Sequence, residues 1–402
     1  MIYLDYQATT PLAPEAFEAM LPWLRDDFVN PHSSHAAGRR AKAAVEVARE
    51  QVAALLPERG RVSFTSGATE ALNWALKGVG SGRIVTLATE HAAVLDTVEA
   101  LARGGREVVV LPVGADGLVD LGLARAAIQP GTALVAAMLV NNEIGVVQPV
   151  AELAEMAHAA GALMLCDAVQ GFGRVVIPDG CDLVAVSAHK VHGPKGIGAL
   201  WVRDGLALEP LMHGGGQEAG GRSGTLSPAL CVGFGVAARL MGELRAADAG
   251  HVDALWELAL AQLDLLAPLP GREGLGVGSY RGNVAPAPYR PTPGPSLPGR
   301  GVERWHLNGS AAARYYGNLN IRRDGLDVAR LMSDLRDIAF SAGSACASGS
   351  GRSSHVLRGI GLTETQARAS VRIGFGRYTT EAELIEAIER IVAAADAQRI
   401  AA

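Results

Sequence analysis

The chain has 402 residues, with 49% hydrophobic and 19% charged side chains and a net charge of −5. That length suits two packed domains, and the composition excludes general disorder. The small negative charge offers no surface suited to nucleic acid or an anionic membrane. No run approaches the ~20 consecutive apolar residues of a membrane span, and Met1–Asp5 lacks a basic stretch leading into an apolar one, so a cytoplasmic location is expected. Cys166, Cys181, Cys231 and Cys346 form no CxxC pair, so neither a disulfide framework nor a metal site is expected.

In chain order, Ala36 to Leu56 has helical spacing, with Ala, Val and Leu set against Arg39, Arg40, Lys42, Glu46 and Arg49. From there to residue 265 such patterns alternate with short apolar runs, which predicts an α/β fold with a mostly parallel sheet. The predicted strands are Arg61–Thr65, Arg83–Ala88, Glu107–Leu111, Ala133–Leu139, Ala162–Cys166, Leu183–Val186 and Gly198–Val202, which make a seven-stranded central sheet. Residues 267–300 hold eight of the 20 prolines and few apolar residues, the composition of an irregular insertion or linker. Beyond them Tyr316–Ile321 and Ser370–Phe375 read as strands, and Leu326–Leu335 and Glu381–Ala394 as helices. The expected organisation is a large domain over 1–255, whose first 15 residues can pack with the other part, and a smaller α+β C-terminal domain over 256–402.

Four stretches carry chemistry. Ser66-Gly67-Ala68-Thr69-Glu70 follows a predicted strand and opens a helix. Its backbone N–H groups form an anion site, or the hydroxyls simply cap the helix. Asp167 and Lys190 follow two apolar runs, at the carboxyl side of the sheet where α/β proteins place ligands. They can form a buried salt bridge. They can equally be the two anchors of pyridoxal phosphate, the lysine as Schiff base and the carboxylate on the pyridine nitrogen. The chain has only four lysines, and Lys42, Lys77 and Lys195 lie in polar helices or a Gly-Pro-Lys-Gly turn.

Ser341 to Ser354 is 12 of 14 Ser, Ala or Gly, the exceptions being Cys346 and Arg352. So small-sided a run holds no core, which favours a loop carrying a reactive thiol over a buried inert one. Cys166, Cys181 and Cys231 belong with apolar runs and read as structural. Gly214-Gly215-Gly216-Gln217-Glu218, followed by Arg222-Ser223-Gly224-Thr225, is either a flexible surface loop or a place where backbone closely approaches a ligand or another subunit.

Together these stretches resemble the group I cysteine desulfurases, in the class V aminotransferase branch of fold-type I pyridoxal phosphate enzymes. Tyr3-Leu4-Asp5-Tyr6-Gln7-Ala8-Thr9-Thr10-Pro11, Thr89-Glu90-His91, Asn141-Asn142-Glu143-Ile144-Gly145, Asp167-Ala168-Val169-Gln170, Ser187-Ala188-His189-Lys190, Gly193-Pro194-Lys195-Gly196 and Gly343-Ser344-Ala345-Cys346 carry the resemblance. It spans nearly the whole chain apart from 267–300. It implies that Lys190 binds the cofactor covalently, Asp167 pairs with its ring nitrogen, Gln170 bonds its phenolic oxygen and His91 stacks on the ring and moves protons. Ala68, Thr69, Ser187 and His189 would hold the phosphate, with Thr225 reaching across a homodimer. Asn142 and Arg372 would grip the substrate carboxylate. L-cysteine would give L-alanine and a Cys346 persulfide, passed to an acceptor protein for iron–sulfur clusters or thiolated products.

A selenocysteine lyase or another β-eliminating enzyme is the alternative within the same resemblance, though neither needs Cys346. A non-catalytic scaffold that binds the cofactor is the alternative from another class, and the presence of Lys190, Asp167, His91 and Cys346 together argues against it. The sequence departs from the family pattern at Ala219, where an arginine is common, at Val169, and in the length of 267–300.

Overall fold

The computed structural model describes residues 1–265, 304–343 and 353–400. The proline-rich stretch 267–300 and Cys346 lie outside the described residues. In chain order the strands are β1 (Ile2–Tyr3), β2 (Gly60–Thr65), β3 (Arg83–Leu87), β4 (Val108–Leu111), β5 (Thr132–Met138), β6 (Leu163–Asp167), β7 (Leu183–Ser187) and β8 (Gly198–Arg203). Then come β9 (His306–Leu307), β10 (Asn318–Arg322), β11 (Ile338–Ala339), β12 (Ser341–Ala342) and β13 (Ser370–Gly374). The seven strands expected for the central sheet are β2–β8, with ends shifted by no more than one residue.

Their spatial order is β2-β8-β7-β6-β5-β3-β4. β4, β3, β5, β6 and β7 run parallel, while β8 is antiparallel to both β7 and β2. Helices cover both faces, so the inner strands read as apolar runs rather than alternating ones. All five residues of β7 are buried. One core lies on each face of the sheet, the first around Phe64, Phe172, Trp201 and Phe234, the second around Leu72, Ile84, Leu134 and Leu200.

A separate core gathers Leu319, Ile321, Val371, Ile373, Phe375, Leu384 and Ile388. It also takes Ile2 and Leu4 from the chain start, and Val252, Leu255 and Trp256 from the helix Arg245–Gln262. Its sheet has the order β12-β13-β10-β9, and β1 pairs in parallel with β11. The strand expected at Tyr316–Ile321 starts two residues later, at Asn318. Tyr316 instead stacks on Trp256, with ring centroids 5.2 Å apart, and the Gly317 carbonyl accepts from the Gln7 amide at 2.7 Å. The helix expected at Leu326–Leu335 is Val328–Asp334, started by Asp327, whose side chain accepts from the Arg330 N–H. The helix expected from Ala36 to Leu56 ends at Ala53.

Candidate active site

A cavity of about 660 Å³ opens at the carboxyl ends of β5, β6 and β7. The parallel register explains why these strand ends converge: Met138 on β5 faces Asp167 on β6, and Asp167 faces Ala185 on β7. Crevices outside strand carboxyl ends are where open α/β sheets bind ligands. Ala68, Thr69, His91, Asn142, Asp167, Gln170, Ser187, His189, Lys190 and Arg372 all line the cavity. Thr225 does not line it within one chain and is exposed.

Asp167 is the last residue of β6 and only 4% exposed. Its Oδ1 accepts the Val169 N–H at 3.0 Å. Burial raises its pKa above the ordinary carboxylate range, while the Val169 N–H, His91 and Lys190 pull it back. A buried carboxylate so placed calls for a cationic N–H partner. Lys190 does not sit at the strand end, as the sequence suggested. Ser187 closes β7, and Lys190 follows on the short 3-10 turn Ala188–Lys190. Its ammonium donates to the backbone carbonyls of Gln7 and of Ala8, the latter at 2.9 Å.

His91 caps the helix Ala92–Arg103, its Nδ1 accepting the Ala93 N–H at 3.0 Å. That bond leaves the ring proton on Nε2. Burial lowers the His91 pKa, with Asp167 opposing and Lys190 and His355 adding to the fall. The ring is therefore a neutral imidazole near neutral pH. His189 is lowered to about 4 by burial and by Lys190 and Lys195.

The helix Ala68–Gly78 opens without a side-chain cap, contrary to the simple capping alternative. Glu70 instead accepts the Ser66 N–H at 2.7 Å and pairs with Arg222 at 2.6 Å. A Cβ on Gly67 would meet no atom within 4 Å. The cavity wall at the helix start is thus bare backbone, flanked by His189, Ser187 and Lys195. Unfilled helix N–H groups beside hydroxyls and a lysine suit a phosphate.

Pyridoxal phosphate fits these residues. The Oε1 of Gln170 is buried and unmatched, while its Nε2 donates to the Gln7 carbonyl at 2.9 Å. An amide oxygen only accepts, so a ligand hydroxyl there, donating its O–H, completes the amide. Asp167, Lys190 and the helix start would be the partners for the ring nitrogen, the aldehyde carbon and the phosphate.

Arg372, on β13, comes from the separate core and is 1% exposed. Its Nη1 donates to the Asn142 carbonyl at 3.0 Å, which brings the two expected carboxylate ligands together. The Asn141 side chain shapes their turn, accepting the N–H groups of Glu143 and Ile144 at 2.9 and 3.0 Å.

Sequence reasoning assigned no role to Gln7, Ala8, Thr9, Glu70, Val169, Lys195 or Gly196, all of which line the cavity. The signal for most of them lay in the Tyr3–Pro11 and Gly193–Gly196 stretches, but only the folded chain lays the N-terminal segment across the Lys190 turn. Cys166, Cys181 and Cys231 are buried, in keeping with a structural part.

Comparisons with known proteins agree with this geometry. The class-V aminotransferase family model matches residues 2–272. The cysteine desulfurase IscS of Rickettsia felis is 39% identical over 411 aligned residues, covering 99% of this chain and 92% of that protein. Among solved structures, a NifS-like protein superposes with a TM-score of 0.81 at 29% identity, covering 98% of this chain and 99% of that one. SspA in complex with cysteine superposes with a TM-score of 0.75 at 32% identity, covering 94% of this chain and all of that one. The architecture is fold-type I, and the chain belongs to the class-V aminotransferases and, within them, to the pyridoxal phosphate-dependent cysteine desulfurases.

Proposed function

We propose that the chain takes the sulfur of L-cysteine onto Cys346, releases L-alanine, and hands the persulfide sulfur to an acceptor protein serving iron–sulfur clusters, thio-cofactors or tRNA. The observation that carries this reading is the single cavity that gathers Lys190, Asp167, Gln170 and His91 with Asn142 and Arg372. When bound, pyridoxal phosphate supplies an electron sink for the pair of electrons left at Cα.

The chain's own residues divide the remaining work. Asp167, buried beside His91 and Lys190, would pair with the ring nitrogen. Gln170 fixes the phenolic oxygen, and the helix start at Ala68 and Thr69, with Ser187 and His189, holds the phosphate. Asn142 and Arg372 orient the substrate by its carboxylate. Lys190 as a free amine takes the Cα proton, which requires it to leave the carbonyls of Gln7 and Ala8. His91, a neutral imidazole with its proton on Nε2, can pass a proton at the cavity wall. The Cys346 thiolate is the nucleophile for the substrate sulfur, and its run of small neighbours suits a residue that serves two sites.

A homodimer would bring Thr225 of a second copy to the phosphate, consistent with its exposure in one chain. The test is alanine release from L-cysteine in a single turnover, with mass analysis for an added sulfur. Wild-type protein is expected to release alanine and gain one sulfur on Cys346. Cys346→Ala is expected to keep its yellow cofactor and to lose the reaction by at least about a hundredfold. Wild-type alanine release by Cys346→Ala would exclude the thiol as acceptor.

A further inference from the structure

Arg372 is almost wholly buried, and among the described residues its one ion pair is with Asp5, Nη2 to Oδ1 at 2.7 Å. Its Nη1 donates to the Asn142 carbonyl at 3.0 Å, and Nη2 also lies 3.4 Å from the Ser341 hydroxyl. The Ser341 hydroxyl in turn donates to the same Asp5 oxygen at 2.8 Å. Nε alone is buried with no partner. A guanidinium has five N–H groups in one rigid plane, so two strong contacts at its far end fix that plane. Nε–H is itself closed off, so Arg372 meets the cavity as a residue whose plane these contacts have already set.

Asp5 is itself held by backbone on both sides. β1 ends two residues before it, paired with β11, and Asp5 forms a bridge to Gly374, two residues beyond Arg372. The Tyr3 hydroxyl donates to its carbonyl at 3.3 Å. Asp5 is therefore a fixed anion beside a buried cation, supplied by the first few residues of the chain.

We propose that Asp5 is a positioning residue for substrate recognition: its carboxylate sets the plane of the Arg372 guanidinium and balances its charge, and so holds this cavity-lining arginine in place for the carboxylate of L-cysteine. This rests on the reading of Arg372 as the carboxylate ligand. Asp5 does not itself line the cavity and reaches it only through Arg372, so its influence belongs in substrate affinity rather than in the chemical step. The competing expectation has the opposite sign. An anion beside the guanidinium competes with the incoming carboxylate, and its removal then tightens binding.

The experiment compares wild type with Asp5→Asn, Asp5→Ala and Arg372→Gln in two measurements. One is the KM and kcat for L-cysteine of the cofactor-loaded enzyme. The other is the affinity of the apoprotein for 3-mercaptopropionate, which has the carboxylate and thiol of the substrate but no amine, read by ligand-observed NMR. Thermal melting of each variant reports on folding. Asp5→Asn keeps the size and an acceptor oxygen, so it separates loss of the charge from loss of packing.

Loss of a charge-assisted contact predicts that both Asp5 variants raise KM and weaken the probe by about tenfold, with kcat changing far less. If Arg372→Gln raises KM and weakens the probe while the Asp5 variants leave both unchanged, the role of Asp5 falls and the carboxylate ligand stands. If Arg372→Gln changes neither quantity, the reading of Arg372 falls and takes this proposal with it. A lowered KM in Asp5→Asn overturns the proposal in favour of competition. A fall of kcat and melting temperature together, with probe affinity unchanged, overturns it in favour of a purely structural role.

Discussion

His192 lies two residues beyond Lys190 and has a left-handed backbone, with φ of 65°. Such a conformation is uncommon for any residue but glycine, and it turns the chain sharply after the cavity-lining Lys190. The ring is 3% exposed, wedged between Tyr6 at 6.1 Å and Tyr378 at 5.1 Å, and its Nδ1 bonds the Pro11 carbonyl at 3.0 Å. Burial, with Arg174 and Arg377 nearby, lowers its pKa to about 3. Between about 6.5 and about 3 the unfolded chain takes up a proton here that the folded chain refuses. His192 thus contributes stability that is fully present above pH 6.5 and is lost as pH falls toward 3, by up to ~1.4 kcal/mol per pH unit. His192→Asn tolerates the left-handed backbone and cannot titrate. Its melting temperature is expected to fall less than that of wild type between pH 7.5 and pH 5, and equal slopes would remove His192 from the acid response.

At the scale of elements, the close approach of β8 to β7 and to the start of the helix Ala68–Gly78 depends on Gly198. A Cβ there would stand 2.6 Å from the Val186 carbonyl oxygen and 2.8 Å from the Gly67 Cα. Both neighbours are backbone, so neither gives way cheaply. Gly198→Ala is expected to destabilise the fold by about 1–3 kcal/mol and to weaken pyridoxal phosphate binding by shifting Gly67. Chemical denaturation and titration of the apoprotein at the visible band measure the two effects. Gly80→Ala, whose Cβ would meet nothing within 4 Å, serves as the control. Unchanged cofactor affinity in Gly198→Ala would separate this packing from the phosphate site.

The seven strands of the large sheet were legible in the sequence because each buried run is apolar and bounded by turn residues. β1, β9, β11 and β12 are two residues long and were not, since pairing with distant chain rather than local pattern makes them strands. Lys190 was legible as a residue at the carboxyl side of the sheet, and it lines the cavity, but the turn that carries it was not legible. The His189 carbonyl, held by the Thr10 N–H at 2.9 Å, and the His192 N–H, held by the Thr10 hydroxyl at 2.7 Å, shape that turn from 180 residues away.

At the scale of the molecule, the cavity is assembled from parts with separate cores. Asp167 comes from the large sheet, Lys190 from the turn after it, and Arg372 from the smaller sheet, and Gln7 ties them together by donating to Gly317 while its backbone carbonyl meets Lys190. A ligand that bridges such parts stabilises the folded state in proportion to the logarithm of its concentration. Pyridoxal phosphate at a hundredfold excess over its Kd is expected to add about 2.7 kcal/mol to the unfolding free energy of the apoprotein. Denaturation at several cofactor concentrations checks this, and the gain should shrink in Asp167→Ala. A midpoint independent of cofactor would mean that these residues do not hold it.

The sequence by itself determined the large sheet, the family, and ten of the residues that line the cavity, because apolar periodicity and short motifs are local and each strand end sits beside its own motif. The tertiary structure alone decided the rest. Asp5 meets Arg372 across 367 residues, and Gln7 meets Gly317 across 310. Neither pairing has a local signature. The N-terminal strand joins the C-terminal core because Ile2 and Leu4 find their apolar partners there, and that burial carries Asp5 and Gln7 into the cavity's frame.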